Sequence, residues 1–175
     1  VAVNLSNIQL DRDNVLALVE ECLIEAGLAA RCLEIELTES SVSLVPERGK
    51  DLLSKIRATG VSVALDDFGT GYSSLSHLCY FPFDSIKIDR SFVRNIQPGS
   101  NNSSSAIIAA IIAMARSLNI TVIAEGVETA QQADYLRAQG CDVAQGYFFG
   151  APVPAHAMMD FSQQMDLQTK RRAAY

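Results

Sequence analysis

Four acidic side chains and one lysine fall at matching places along this 175-residue chain, at or near the C-terminal ends of short apolar runs. Glu36, Asp66 with Asp67, and Glu125 close three such runs; Lys87 lies in a fourth; Asn4 and Gln145 place amides at two more. Gathered at one rim, the carboxylates would repel one another unless cations lay among them. The candidate ligands are all oxygens, the Asn4 amide oxygen included. That set matches Mg²⁺ or Mn²⁺ rather than zinc or copper. Two such ions holding a water and a phosphate oxygen support in-line hydrolysis of a phosphodiester. Lys87 has two available roles. One is a salt bridge that balances the cluster's charge, the commoner use of such a lysine. The other is to orient or deprotonate a nucleophilic water. His77 and His156 lack metal-site spacing and read as core or surface residues.

The elements that must carry these groups alternate strand with helix. Six runs read as strands: Val1–Leu5, Leu33–Leu37, Val61–Leu65, Ser85–Ile88, Thr121–Ala124 and Val143–Phe148. Asp11 or Asp13 caps a helix that Gly27 ends, and Pro46 opens one that stops at Gly60. Ser73 or Ser74 starts a short helix before Pro82. The serines of the polar loop 98–105 cap a helix Ala106–Leu118. Thr129 caps another that ends at Gly140, and Pro154 opens a last one. Strands alternating with helices predict parallel pairing in an α/β fold. Side chains alternate faces along a strand, so Asn4, Glu36, Asp66, Lys87, Glu125 and Gln145 converge at one end of one sheet. Polar residues at one or two strand ends would merely start loops. Six of matching parity fit a (β/α)8 barrel, whose active site collects groups from many strand ends. A doubly wound sheet would concentrate them near one switch point.

The loop from Asp67 to Ser74 contains two glycines and opens a helix. No Gly-Lys-Ser/Thr follows to make it a phosphate cradle. No Gly-rich phosphate loop or His-Arg-Asp segment accompanies it, which sets aside a kinase Asp-Phe-Gly reading. A mobile loop carrying a metal-binding Asp fits better than a simple turn. The net charge of −6 argues against a general nucleic-acid binder, which needs a basic face. Cys22, Cys32, Cys79 and Cys141 are far apart, with neither zinc spacing nor a disulfide framework. Reduced, mostly buried thiols in a cytoplasmic protein are expected. No run is long and apolar enough to cross a membrane, and a membrane-anchored parent is compatible with that. The domain is read as residues 1–168, with 169–175 a loose tail.

These motifs together resemble the EAL phosphodiesterase family over essentially the whole chain. Asn4-Leu5-Ser6 is similar to its metal-binding Asn segment, and Glu36-Leu37-Thr38-Glu39-Ser40 to its Glu-x-Thr-Glu-Ser motif. The stretch from Asp66 to Leu75 resembles its signature loop, and Lys87-Ile88-Asp89-Arg90-Ser91-Phe92-Val93 its Lys-bearing strand. Ala124-Glu125-Gly126-Val127-Glu128-Thr129 and Gln145-Gly146-Tyr147 resemble its last two motifs. The resemblance implies an incomplete TIM (β/α)8 barrel of about six βα units, family strands 3 to 8. It implies a two-metal site for Mg²⁺ or Mn²⁺, hydrolysing cyclic di-GMP to the linear dinucleotide. Asn4, Glu36, Asp66 and Glu125 would bind one ion. Asp67 would help bind the second, with Asp66 bridging the two and also meeting substrate. Lys87 would assist the attacking water, and Gln145 would position water or substrate. Glu39 would hold the signature loop from outside, with Glu128 supporting the same region. Family members often dimerise near that loop and are often fused to sensory or GGDEF-type domains. The family's namesake Glu-Ala-Leu segment, with its metal-binding Glu and substrate-binding Arg, has no counterpart here. The expectation is therefore a truncated domain, inactive in isolation. The alternative is a degenerate module that binds cyclic di-GMP or a protein partner without turnover.

Overall fold

The structure, a computed structural model, describes residues 1–10, 14–43, 46–70, 78, 80–96 and 102–159. Six strands form one sheet: β1 (Ala2–Asn4), β2 (Glu34–Thr38), β3 (Ser62–Phe68), β4 (Ser85–Ile88), β5 (Thr121–Ala124) and β6 (Val143–Ala144). All five pairings are parallel, and the strands lie side by side in chain order. A doubly wound sheet would reverse direction at a switch point; an arc of a (β/α)8 barrel runs one way, as this sheet does.

Strand parity explains the layering. Ile35, Leu37, Val63, Leu65, Ile86, Ile88, Val122 and Ala124 are all buried on the face the helices cover. They meet Leu53 and Ile56 of α4 (Pro46–Ala58) and Ile108, Ile111, Ile112 and Ala115 of α6 (Ser103–Ser117). Ala133 and Leu136 of α7 (Ala130–Gln139) join the same core. Each fully buried Leu or Ile contributes roughly 1.5–3 kcal/mol of transfer free energy, so this shell holds the arc in shape. The opposite parity carries Glu34, Glu36, Asp66, Ser85 and Lys87, which leaves the concave face polar. The Ser85 hydroxyl donates to Glu34 Oε2 at 3.0 Å on that face.

Further helices among the described residues include α1 (Asn7–Leu10), α2 (Val15–Ala26), α3 (Glu39–Ser43) and α5 (Arg90–Arg94). Gly27 and Gly140 end α2 and α7 in the left-handed conformation. Thr129 and Gln132 form a reciprocal capping box at the start of α7.

Several expectations are corrected. Helix α6 starts at Ser103, and Asn102 caps it by accepting the Ser105 N–H; the serines lie in its first turn. Asn and Ser cap about equally well by type, and the chain puts Asn102 at the cap position, three residues before the N–H it accepts. Strand β6 stops at Ala144, short of Phe148. Beyond it the Gln145 N–H donates to Ala124 O, and the Phe148 N–H turns back to Val127 O. The helix expected from Pro154 begins as a 3₁₀ turn, Ala155–Ala157, followed by helical Met158 and Met159, the last described residues. Cys22 and Cys32 are exposed and Cys141 half-buried, so those three thiols are not core groups. The Asp11 and Asp13 caps, the helix expected from Ser73 or Ser74, Cys79, His77 and the domain limit at 168 lie outside the described residues. Among the described residues no helix is long and apolar enough to cross a membrane.

Candidate active site

Lys87 stands at the centre of the concave face with only 8% of its side chain exposed. Its ammonium lies 2.8 Å from Glu36 Oε1, 3.3 Å from Asp66 Oδ1 and 2.6 Å from Glu125 Oε1. Strands β2, β3 and β4 and the end of β5 thus each deliver one charged group to a single cluster. Burial alone would lower the Lys87 pKa. The hydrogen bonds to Glu125 and Glu36, with the charges of Glu125 and Asp66, outweigh burial and push it up. Lys87 is therefore a firmly protonated cation here, in salt bridges.

Strict alternation would send Asp66 and Asp67 to opposite faces of β3. The β3–β4 register shifts between Leu65 and Phe68, and Asp67 takes a left-handed φ of 54°. This irregularity lets both carboxylates reach the rim: oxygens of Asp66, Asp67 and Glu125 lie within 4.8 Å of one another. A bulge at a barrel rim that re-aims a side chain is a recurrent device, and its left-handed non-glycine residue stores backbone strain. The Asp67 N–H donates to Asp66 Oδ1 at 2.9 Å.

The electrostatics follow from this crowding. Burial, then the Asp66 and Asp89 charges, raise the Asp67 pKa, with Lys87 and Arg90 pulling it down. Burial also raises the Glu125 pKa; Lys87 opposes it, and Asp66 and Glu36 add to it. Four carboxylates and one ammonium leave an excess of negative charge. An all-oxygen group with that excess fits a hard divalent cation. Asp66, Asp67 and Glu125 are the residues that would hold one.

The surrounding residues are placed as follows. Gln145 Nε2 donates to Glu125 Oε1 at 2.7 Å. Asn4 lies opposite Glu36 in the β1–β2 ladder, at the exposed edge. Glu36 reaches the group of Asp66, Asp67 and Glu125 through the shared Lys87 ammonium and through its charge acting on Glu125. Glu39, buried at the start of α3, accepts the Gly69 N–H through Oε2 at 3.0 Å and so ties down the loop after Asp67. Gly69 has φ +96°, and a Cβ there would meet Phe92 Cε2 at 2.9 Å, so a side chain at this position is strained and crowded. Glu128 is exposed, and its N–H donates to Gln132 Oε1.

Two polar residues near the rim were not among the sequence candidates. Asp89 follows Lys87 by two, caps α5 by accepting the Ser91 N–H at 2.9 Å, and adds its charge to the field at Asp67. Its i+2 spacing from Lys87 was the available signal. Thr38 lies in register with Asp66, and its hydroxyl bonds to Ser41 Oγ at 2.8 Å. Beside Glu125 and Gln145 opens a cavity of about 570 Å³, walled by Arg90, Gly126, Glu128 and Tyr147.

The EAL domain family model matches residues 1–152. The chain belongs to the EAL domain family. This EAL domain is 45% identical over 161 residues to the cyclic di-GMP phosphodiesterase NbdA of Pseudomonas aeruginosa, covering 92% of this chain and 20% of that relative. The chain thus spans about a fifth of the length of the first curated relatives it matches. Among solved structures, the EAL domain superposes on a PaMucR phosphodiesterase in complex with c-di-GMP, with a TM-score of 0.83 and 38% identity. The match covers 90% of this chain and 63% of that one. A Klebsiella pneumoniae BlrP1 complex with manganese and cyclic di-GMP matches with a TM-score of 0.78 and 35% identity, over 86% of this chain and 38% of that one. The six strands of the EAL domain are therefore an arc of the TIM-barrel-like fold these neighbours share.

Proposed function

We propose that this domain hydrolyses cyclic di-GMP to the linear dinucleotide, using Mg²⁺ or Mn²⁺. The observation that carries the reading is the rim cluster: Asp66, Asp67 and Glu125 within 4.8 Å of one another, with Lys87 on Asp66 and Glu125. The names of NbdA and of the c-di-GMP and manganese complexes support the substrate and the ion.

Asp66, Asp67 and Glu125 would hold the ions, with Glu36 and Asn4 beside them. When bound, the ions supply positive charge to the phosphate and acidify the attacking water. The chain's own residues do the rest. Lys87, as an ammonium, donates and cannot accept, so it draws Glu36, Asp66 and Glu125 together, offsets part of their repulsion and would orient the water beside them. Gln145 fixes Glu125 by its amide, leaving Glu125 in one orientation. Glu39 anchors Gly69, two residues from Asp67, and thereby the bulge that aims both aspartates. The 570 Å³ cavity beside Glu125 gives room for part of the dinucleotide outside the acidic cluster.

A relative 38% identical is named as a bifunctional diguanylate cyclase/cyclic di-GMP phosphodiesterase, MucR of Pseudomonas aeruginosa. A fused GGDEF-type or sensory domain, a cytoplasmic setting and self-association through the signature loop belong to the same reading. The experiment is to follow formation of the linear dinucleotide from cyclic di-GMP with Mn²⁺ present, comparing the unsubstituted protein with Asp66→Asn. Turnover by the first and its loss in the second are expected. Equal turnover by both would sink the assignment.

A further inference from the structure

Arg90 is the first residue of α5 and lies on the wall of the cavity that also contains Glu125 and Gln145. It lines a second, polar cavity of about 500 Å³ as well, with Ser91, Arg94, Asn95 and Glu128. Arg94 lies one helical turn further on. Among the described residues, neither guanidinium has a carboxylate within salt-bridge distance. Like charges four apart on a helix disfavour it, and this pair is kept in a chain of net charge −6. The stem of Arg90 is not free to wander: a Cβ on Gly126 would come within 2.5 Å of Arg90 Cβ, so the loop leaving Glu125 is packed against it. Gly126 has φ +69°, and the missing side chain is what permits that approach.

This inference rests on the cyclic dinucleotide reading above. Such a substrate carries two phosphodiesters, and only one occupies the cleavage site. The other is a second anion held close to four carboxylates, and it needs positive ground nearby. Arg90 offers an exposed guanidinium on the wall shared with Glu125 and Gln145, with no salt bridge among the described residues. A planar fork of donors suits a phosphodiester's two free oxygens. We propose that Arg90, with Arg94 behind it, binds the phosphodiester that is not cleaved, and so selects two-phosphate substrates over single phosphodiesters. The bland alternative, two solvated surface arginines, predicts no effect on substrate choice.

The test uses the intact protein with Arg90→Ala, Arg90→Lys and, as a control, Arg137→Ala, whose guanidinium pairs with Asp134 far along α7. Two substrates are compared in Mn²⁺: cyclic di-GMP, and bis(p-nitrophenyl) phosphate, which has one phosphodiester. Arg90→Ala should raise KM for cyclic di-GMP by about tenfold or more, the scale of one charge-assisted hydrogen bond, with a much smaller change in kcat. The loss in kcat/KM on cyclic di-GMP should exceed that on the single phosphodiester by about the same factor. Arg90→Lys should recover part of the loss, and Arg137→Ala should leave both substrates unchanged. Unchanged KM in Arg90→Ala, or equal losses on the two substrates, would overturn the proposal. If the unsubstituted protein turns over no cyclic di-GMP, the phosphodiesterase reading fails on its own. The arginine is then read by equilibrium binding of cyclic di-GMP in Ca²⁺: weakening by about tenfold in Arg90→Ala upholds it, and no weakening overturns it.

Discussion

Replacing Lys87 with Met keeps most of the stem's volume and removes the one cation that, among the described residues, touches Glu36, Asp66 and Glu125. Their side chains are 10%, 14% and 19% exposed, so solvent screens the three carboxylates poorly. Breaking a buried pair by removing one partner costs about 3–5 kcal/mol, mostly the penalty of the uncompensated charge. Protonation sets a ceiling. At pH 7, protonating a glutamate of ordinary pKa near 4.3 costs about 3.7 kcal/mol. The expected loss in a chelator at pH 7 is thus about 3–4 kcal/mol, or a fall in melting temperature of roughly 6–16 °C for a domain of this size. The sign of the pH dependence follows from the same groups. Burial and neighbouring carboxylates raise the Glu125 and Asp67 pKa values even with Lys87 present. A carboxyl whose folded pKa is raised binds more protons folded than unfolded, so stability falls as pH rises from the ordinary value through the raised one. Without Lys87 that window widens, and the deficit of Lys87→Met should be larger at pH 8 than at pH 5. A divalent ion replaces the lost charge, so Mn²⁺ should raise the variant's melting temperature more than that of the unsubstituted protein. Thermal melts at both pH values, in chelator and in Mn²⁺, read all three effects. A variant as stable as its parent in chelator, or a deficit that neither pH nor Mn²⁺ changes, would refute the reasoning.

Glu39→Ala removes the acceptor of the Gly69 N–H and should lower turnover by loosening the Asp66–Asp67 bulge, with a stability loss of about 1–3 kcal/mol; unchanged turnover in steady-state kinetics would contradict it.

The strands were legible because a parallel sheet covered by helices demands apolar residues on one parity, and Ile35/Leu37, Val63/Leu65 and Ile86/Ile88 supply them. The same parity placed Glu36 and Lys87 on the concave face. Parity alone could not place Asp66 and Asp67 together, since that depends on a register shift and a left-handed φ at Asp67 that no alternation rule predicts. The short helices α1, α3 and α5 span one turn or little more, too few residues to show a 3.6-residue period. Asn102 does not stand out as a cap in the sequence because three serines follow it, any of which is an acceptable cap by type. The sequence gives Asp89 no distinct role beside Lys87; only the fold brings its charge to bear on Asp67. The choice between the two roles of Lys87 depended on distances. With three carboxylates within 3.3 Å, the salt-bridge role is the one the geometry displays.

The central claim is that the oxygen cluster at Asp66, Asp67 and Glu125 performs metal-dependent phosphodiester hydrolysis. The most direct measurement follows conversion of cyclic di-GMP to the linear dinucleotide by chromatography, first in excess chelator and then after Mg²⁺ or Mn²⁺ is restored. Background conversion in chelator and recovery with either ion are expected. Conversion that persists through thorough chelation, or none with either ion restored, would contradict it.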